Sequence, residues 1–143
     1  MTKNNFRLKH ALHNEEVCKH LSLNQDFCDW QITTAFYAAL HFVSYKIFPF
    51  QVPSLEGKKT LIENLDQYFN YNNPKRLSKH ELLSNLVNTN CAGISPDYDW
   101  LIDMSMTARY KNYTSDKDIA SKAMRLMLAI KKACVTDKEI ASL

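Results

Sequence analysis

Apolar positions recur along this chain at spacings of three and four, and Pro, Asn, Ser and Gly collect between the recurring stretches. The pattern predicts helices over about 5–21, 27–48, 56–71, 78–91, 95–110 and 116–134, with a short helical turn after Thr136. In the third, Leu61, Ile62, Leu65, Tyr68 and Phe69 fall on one helical face, and Asn72, Asn73 and Pro74 end it. Asp26 is the expected N-cap of the second, and Pro49 and Pro53 break the chain behind it. Ser78-x-x-Glu81 forms a capping box ahead of Leu82, Leu83, Leu86 and Val87. Ser95 and Pro96 supply an N-cap and a first-turn proline for the fifth. The sixth carries Ile119, Ala123, Leu126, Met127, Ile130 and Cys134 on one stripe. No alternating run of β-branched residues is present, so no strand is predicted. The expected fold class is all-α, an up-and-down bundle of five to six helices forming one domain over 1–143, with its core at about 5–135.

The second helix differs from the others. From Phe27 to Phe48, fifteen of twenty-two residues are apolar or aromatic, and they surround the helix. A helix apolar on every side is buried on every side. It is therefore the centre of the bundle, half of a dimer interface, or both. At about 100° per residue, Trp30, Thr34, Tyr37, His41 and Tyr45 share one of its faces. That face is either a polar-aromatic lining for a ligand or a packed surface whose polar tips find internal partners.

Composition narrows the chemistry. The chain has only two glycines, Gly57 and Gly93, both expected as punctuation between helices, with Gly57 near the start of the third. A phosphate-cradling loop or a dinucleotide fingerprint needs clustered glycines, so any phosphate must be held by side chains or a helix N-terminus. The net charge of +3 permits an anionic partner without requiring one. Cys18, Cys28, Cys91 and Cys134 form no CxxC pair, and the start of the chain is polar. Reduced, mostly buried thiols in a cytoplasmic protein are expected. The uncharged stretch from Trp30 to Tyr45 is sixteen residues, short of the ~20 that span a bilayer, so no membrane association is expected.

The stretch Trp30-Gln-Ile-Thr-Thr-Ala-Phe-Tyr-Ala-Ala-Leu-His41, followed about sixty residues later by Ser105-Met-Thr-Ala-Arg-Tyr110, resembles an uncharacterised bacterial branch of the HEPN superfamily. The name abbreviates "higher eukaryotes and prokaryotes nucleotide-binding". The resemblance covers roughly residues 5–135 and implies a helical bundle, usually dimeric. It also implies a setting in toxin–antitoxin or phage-defence systems, where many members are metal-independent RNases. Their signature is Arg, four to six residues, then His, late in the bundle. Of Arg7, Arg76, Arg109 and Arg125, only Arg7 has a histidine at that offset, His13, and it lies in the first helix. The signature is absent from its expected place.

Candidate ligand-binding residues are Tyr37, His41, His80, Arg109 and Tyr110. Tyr37 and His41 offer hydrogen bonds and stacking to a base. Arg109 offers a bidentate fork to phosphate, or pairs structurally with an acid such as Asp99 or Asp103 or with helix-end carbonyls. His80, near a helix start, should have its charged form disfavoured by the dipole. On the first helix His10, His13 and His20 project to one side with Glu16 alongside, but His13 and His20 lie ~10.5 Å apart along the axis, too far to share an ion. A solvated or interfacial face is expected there. With no ExxH or HExxH motif, no metal, cofactor or catalytic residue is assigned. Lys117, Lys122, Arg125 and Lys132 lie opposite the apolar stripe of the sixth helix, either following a phosphate backbone or forming its wet side.

The expected function is an RNA- or nucleotide-associated HEPN-like bundle, non-catalytic or weakly active, whose expected partners are a second copy of itself and a cognate toxin or antitoxin. The alternatives are an RNase with a rearranged site, using Arg7 and His13 or His80 of a dimer mate, and a purely structural dimerisation or antitoxin-type protein.

Overall fold

The computed structural model describes residues 2–54 and 56–143. Among them are seven α-helices and one two-stranded hairpin: α1 (Asn5–Leu21), α2 (Cys28–Ile47), β1 (Phe50–Pro53), β2 (Lys59–Ile62), α3 (Leu65–Tyr71), α4 (Lys79–Asn90), α5 (Ser95–Tyr110), α6 (Lys117–Cys134) and α7 (Asp137–Ala141). The all-α bundle expected from periodicity is the architecture found.

Local chemistry explains most helix boundaries. Asn4 caps α1 by accepting from the Arg7 amide. Ser78 and Glu81 form the reciprocal capping box of α4, and Thr136 and Glu139 form a second one that starts α7. Asp116 caps α6 through the Asp118 amide. Two predicted caps are replaced. A 3-10 turn, Gln25–Phe27, precedes α2, and Asn24 rather than Asp26 caps it. At α5, Pro96 stands in the first turn as expected, but Ser95 is already helical and its side chain makes no capping bond.

The larger correction lies between α2 and α4. The predicted helix over 56–71 is helical only from Leu65; its first third is β2, paired antiparallel with β1 so that Phe50 faces Ile62 and Pro53 faces Lys59. Leu61 and Ile62 therefore alternate, Leu61 outward and Ile62 buried, instead of sharing a helical face. Gly57 sits in the hairpin turn at φ +75°, a left-handed conformation that a side chain disfavours, and not at a helix start. The apolar spacing of this segment fits either period over so few residues. Pairing with β1, which follows the α2 terminus, selects the extended one.

The central-helix expectation for α2 holds. It packs against α1, α4, α5 and α6, and thirteen of its residues are buried. Phe36, Phe42, Ile32 and Val43 occupy the middle of a continuous core with Leu8, Leu83, Tyr98, Leu101, Met127 and Ile130. The three cysteines Cys18, Cys28 and Cys134 are buried and Cys91 is half-buried, all as free thiols. Burial pushes the Cys134 thiol up to about 12 and the Cys18 thiol up to about 11. Glu15 is a buried charge held between two ammonium groups, Lys19 and Lys131, each 2.7 Å away. No helix among the described residues is long and apolar enough to cross a membrane.

Candidate functional site

The shared face of α2 is divided among its neighbours. Thr34 turns back to the Trp30 carbonyl, Tyr37 reaches α5, His41 reaches α1, and Tyr45 reaches α7. Tyr45 is buried and donates to Glu139 at 2.5 Å; burial first, then the adjacent carboxylate, push its phenol up to about 12. The residues of one helical face thus form three separate environments, because three different helices cover that face.

Arg109 is the centre of one of them. It lies in the last turn of α5, half-buried. Its Nε donates to the Ser105 carbonyl at 3.2 Å, Nη2 to Ser105 Oγ at 3.3 Å, and Nη1 to the Tyr37 hydroxyl at 2.8 Å. Ser105 is one helical turn earlier, so the motif Ser105-x-x-x-Arg109 carries its own brace. The guanidinium also lies within cation–π range of Phe36, Tyr37 and Tyr110, at 5.8, 5.4 and 5.1 Å from their ring centroids. Neither Asp99 nor Asp103 pairs with it, nor does any other carboxylate among the described residues. A guanidinium carries five N–H groups, and one on Nη1 stays uncommitted.

His80 enters the same neighbourhood from the first turn of α4. Its ring is 5.8 Å from that of Phe36, which also lies under Arg109. The residue is solvent-exposed overall, but partial desolvation of its ring, and secondarily the Arg109 charge, lower its pKa below the ordinary histidine value and so favour the neutral imidazole. Tyr37, His80 and Arg109 therefore assemble around Phe36, and the exposed Tyr110 lies against Arg109.

His41 does not join them. It stacks on His10 of α1 with ring centroids 4.0 Å apart. Burial, with the nearby His10 and Arg7 as further causes, brings its pKa down to about 4. The other first-helix histidines, His13 and His20, are exposed beside Glu16. Among the described residues no three His, Cys, Asp or Glu side chains are placed to hold a metal ion. Arg7 packs its guanidinium over the Phe48 ring at 5.9 Å, while His13 points to solvent. On α6, Lys122 stands 4.5 Å from the Trp100 ring, and Lys117, Arg125 and Lys132 are exposed.

On its outer side Arg109 opens into a cleft of about 300 Å3 bounded by Asp29, Trp30, Thr33, Ala108, Tyr110 and Tyr113. Sequence reasoning missed Asp29 and Tyr113. The signal for Tyr113 was faint: an aromatic in the polar loop three residues after the Arg-Tyr pair. Asp29 stands next to Trp30 but reads as an ordinary first-turn acid. Comparison of the chain with protein-family models, curated proteins and solved structures finds no match.

Proposed function

We propose that this chain is a HEPN-like bundle that associates with RNA or a nucleotide through Arg109. One observation carries the reading: a half-buried guanidinium faces an open cleft and makes no ion pair, even with Asp29 across that cleft, among the described residues. Burying part of a cation without a counter-charge is costly, and an incoming phosphate would supply that counter-charge while accepting the spare N–H. Ser105 and Tyr37 fix the plane of the fork beforehand, which lowers the ordering cost of binding. The surrounding aromatic rings suit bases as well as phosphate.

Anisotropy of a fluorescein-labelled single-stranded RNA tests this. Binding should weaken as salt rises, and Arg109→Ala should lower affinity roughly tenfold or more while the circular dichroism stays helical. An affinity insensitive to both salt and Arg109→Ala would reject the reading.

A second reading, RNA cleavage without a metal, is favoured by the placement of His80 and Arg109 against the same Phe36 ring within one chain. The signature spacing is missing from the sequence, yet an arginine of α5 and a histidine of α4 both lie against the ring of Phe36. A neutral imidazole can take the proton of a ribose 2′-hydroxyl as that oxygen bonds to the adjacent phosphorus and the P–O5′ bond breaks, the departing 5′-oxygen taking a proton from water and the guanidinium balancing the phosphoryl charge. Incubation with RNA in EDTA decides it. Cleavage lost in His80→Ala supports the reading, and intact RNA in the wild-type reaction rules it out.

A further inference from the structure

We propose that the cleft beside Arg109 selects guanine: the base lies against Trp30, Tyr110 and Tyr113, and its Watson–Crick edge donates to the Asp29 carboxylate. This deepens the RNA- or nucleotide-binding reading and rests on it. Three aromatic side chains line this cleft, and they are among the most solvent-exposed large hydrophobics of the molecule, Trp30 at 57%, Tyr110 at 71% and Tyr113 at 74%. Exposed rings around a concavity are ready stacking surfaces, since every base has a π-face. The volume, about 300 Å3, lies at the small end of ligand pockets and suits a single base with its sugar.

Stacking alone does not choose a base. Asp29 does. Its backbone carbonyl accepts from Thr33 Oγ1 at 2.8 Å, whereas its carboxylate has no hydrogen-bond or ion-pair partner among the described residues. It makes no ion pair with Arg109, although both line the cleft. An ionised carboxylate only accepts hydrogen bonds. Among the four RNA bases, guanine alone presents two adjacent donors on its Watson–Crick edge, N1–H and the N2 amino group. Adenine, cytosine and uracil each place an acceptor beside their donor, which a carboxylate repels. The two charged walls of the cleft thus have separate tasks, Asp29 for the base edge and Arg109 for the phosphate.

The test compares GMP, AMP, CMP and UMP by calorimetry and by quenching of tryptophan fluorescence. Trp30→Phe assigns the optical signal, because the other tryptophan, Trp100, lies under Lys122 outside the cleft. Wild-type protein should prefer GMP over the other three by roughly tenfold or more, the value of a good bidentate pair. Asp29→Asn keeps the side-chain shape but replaces one acceptor oxygen with a donor, and should reduce that preference to about threefold or less. Tyr113→Ala, in the loop between α5 and α6, should weaken GMP binding without touching a helix. Equal binding of all four nucleotides, or a GMP preference that survives Asp29→Asn in folded protein, overturns the guanine assignment and leaves the Arg109 reading standing. Absence of mononucleotide binding with salt-sensitive RNA binding retained does the same. Loss of both mononucleotide and RNA binding overturns both.

Discussion

Arg109 of α5 donates from Nη1 to the Tyr37 hydroxyl of α2 across 2.8 Å, joining the sequence stretches 30–41 and 105–110. Seventy-two residues separate the pair in the chain, and the central helix brings them together. The bond explains why a tyrosine at this position in the most apolar helix is useful: its ring packs beside Phe36 and its oxygen holds the guanidinium in place.

Removing that oxygen should therefore be felt at Arg109. Tyr37→Phe is expected to cost about 1.5–3 kcal/mol, the range for a hydrogen bond to a charged group. Arg109→Ala should cost a similar amount, and a double-mutant cycle in urea should give a coupling of about 1 kcal/mol. Additive effects would mean that the two side chains do not bond in solution.

A second expectation concerns Glu15. Burial alone would raise its pKa, but the hydrogen bonds and charges of Lys131 and Lys19 outweigh burial and leave it below the ordinary glutamate value. A group whose folded pKa is depressed contributes stability above its unfolded pKa, and that stability is lost as pH falls through the folded one. Acid should thus begin to weaken the fold below the usual glutamate value of about 4.3. Lys131→Met removes one of two counter-charges from a carboxylate 6% exposed, and should destabilise at neutral pH by about 1–3 kcal/mol. Equilibrium unfolding at pH 7 checks this; an unchanged midpoint contradicts it.

His41 sets a different pH window. Its pKa is about 4 in the fold, against about 6.5 when the chain is unfolded. Above pH 6.5 the ring is neutral in both states. Between 6.5 and 4 the unfolded chain binds a proton that the folded protein refuses, so stability falls as pH falls through that range. Partial solvation of the ring reduces the effect to about 1 kcal/mol. His41→Phe, which keeps a flat ring against His10, should flatten the dependence of the urea midpoint between pH 7 and 5. A slope unaltered in the variant would assign the titration elsewhere.

Tyr98 gives the opposite kind of test. It is fully buried, packed 6.1 Å from Phe36 by ring centroid, and its hydroxyl meets no protein donor or acceptor among the described residues. Burial, with Asp99 as a minor cause, raises its phenol strongly, so it stays protonated across the ordinary pH range. A buried hydroxyl without a protein partner contributes desolvation cost and little else. Tyr98→Phe should be neutral or stabilise by up to about 1 kcal/mol in thermal unfolding. A loss of more than that would reveal a bond to this oxygen.

Three features were legible in the sequence for a stated physical reason. The capping boxes at Ser78 and Thr136 are completed within four residues of chain, so local spacing suffices to read them. The centrality of α2 follows from the absence of a polar face. The brace between Ser105 and Arg109 spans a single helical turn, yet the structural partners expected from sequence are Asp99, Asp103 or helix-end carbonyls, and the side-chain bond to Ser105 is not among them. The stripe on α6 follows from periodicity, and Ala123, Met127, Ile130 and Cys134 are buried along it. Ile119, at its first turn, is 37% exposed.

The sequence by itself determined which way each side chain leaves its own helix axis, and with that an all-α bundle around α2. It did not determine what stands opposite. Helical periodicity is a property of one element, whereas a contact depends on the position of two. Only the tertiary structure sent Tyr37 to Arg109, His41 to His10 and Tyr45 to Glu139, dispersing a face that periodicity had drawn as one surface. Only it brought His80 toward Arg109, and Asp29 and Tyr113 to the same cleft. The hairpin is the clearest case. Over residues 59–62 the apolar pattern satisfies a helix as well as a strand, and the choice belongs to β1, whose backbone groups need the partners that β2 provides.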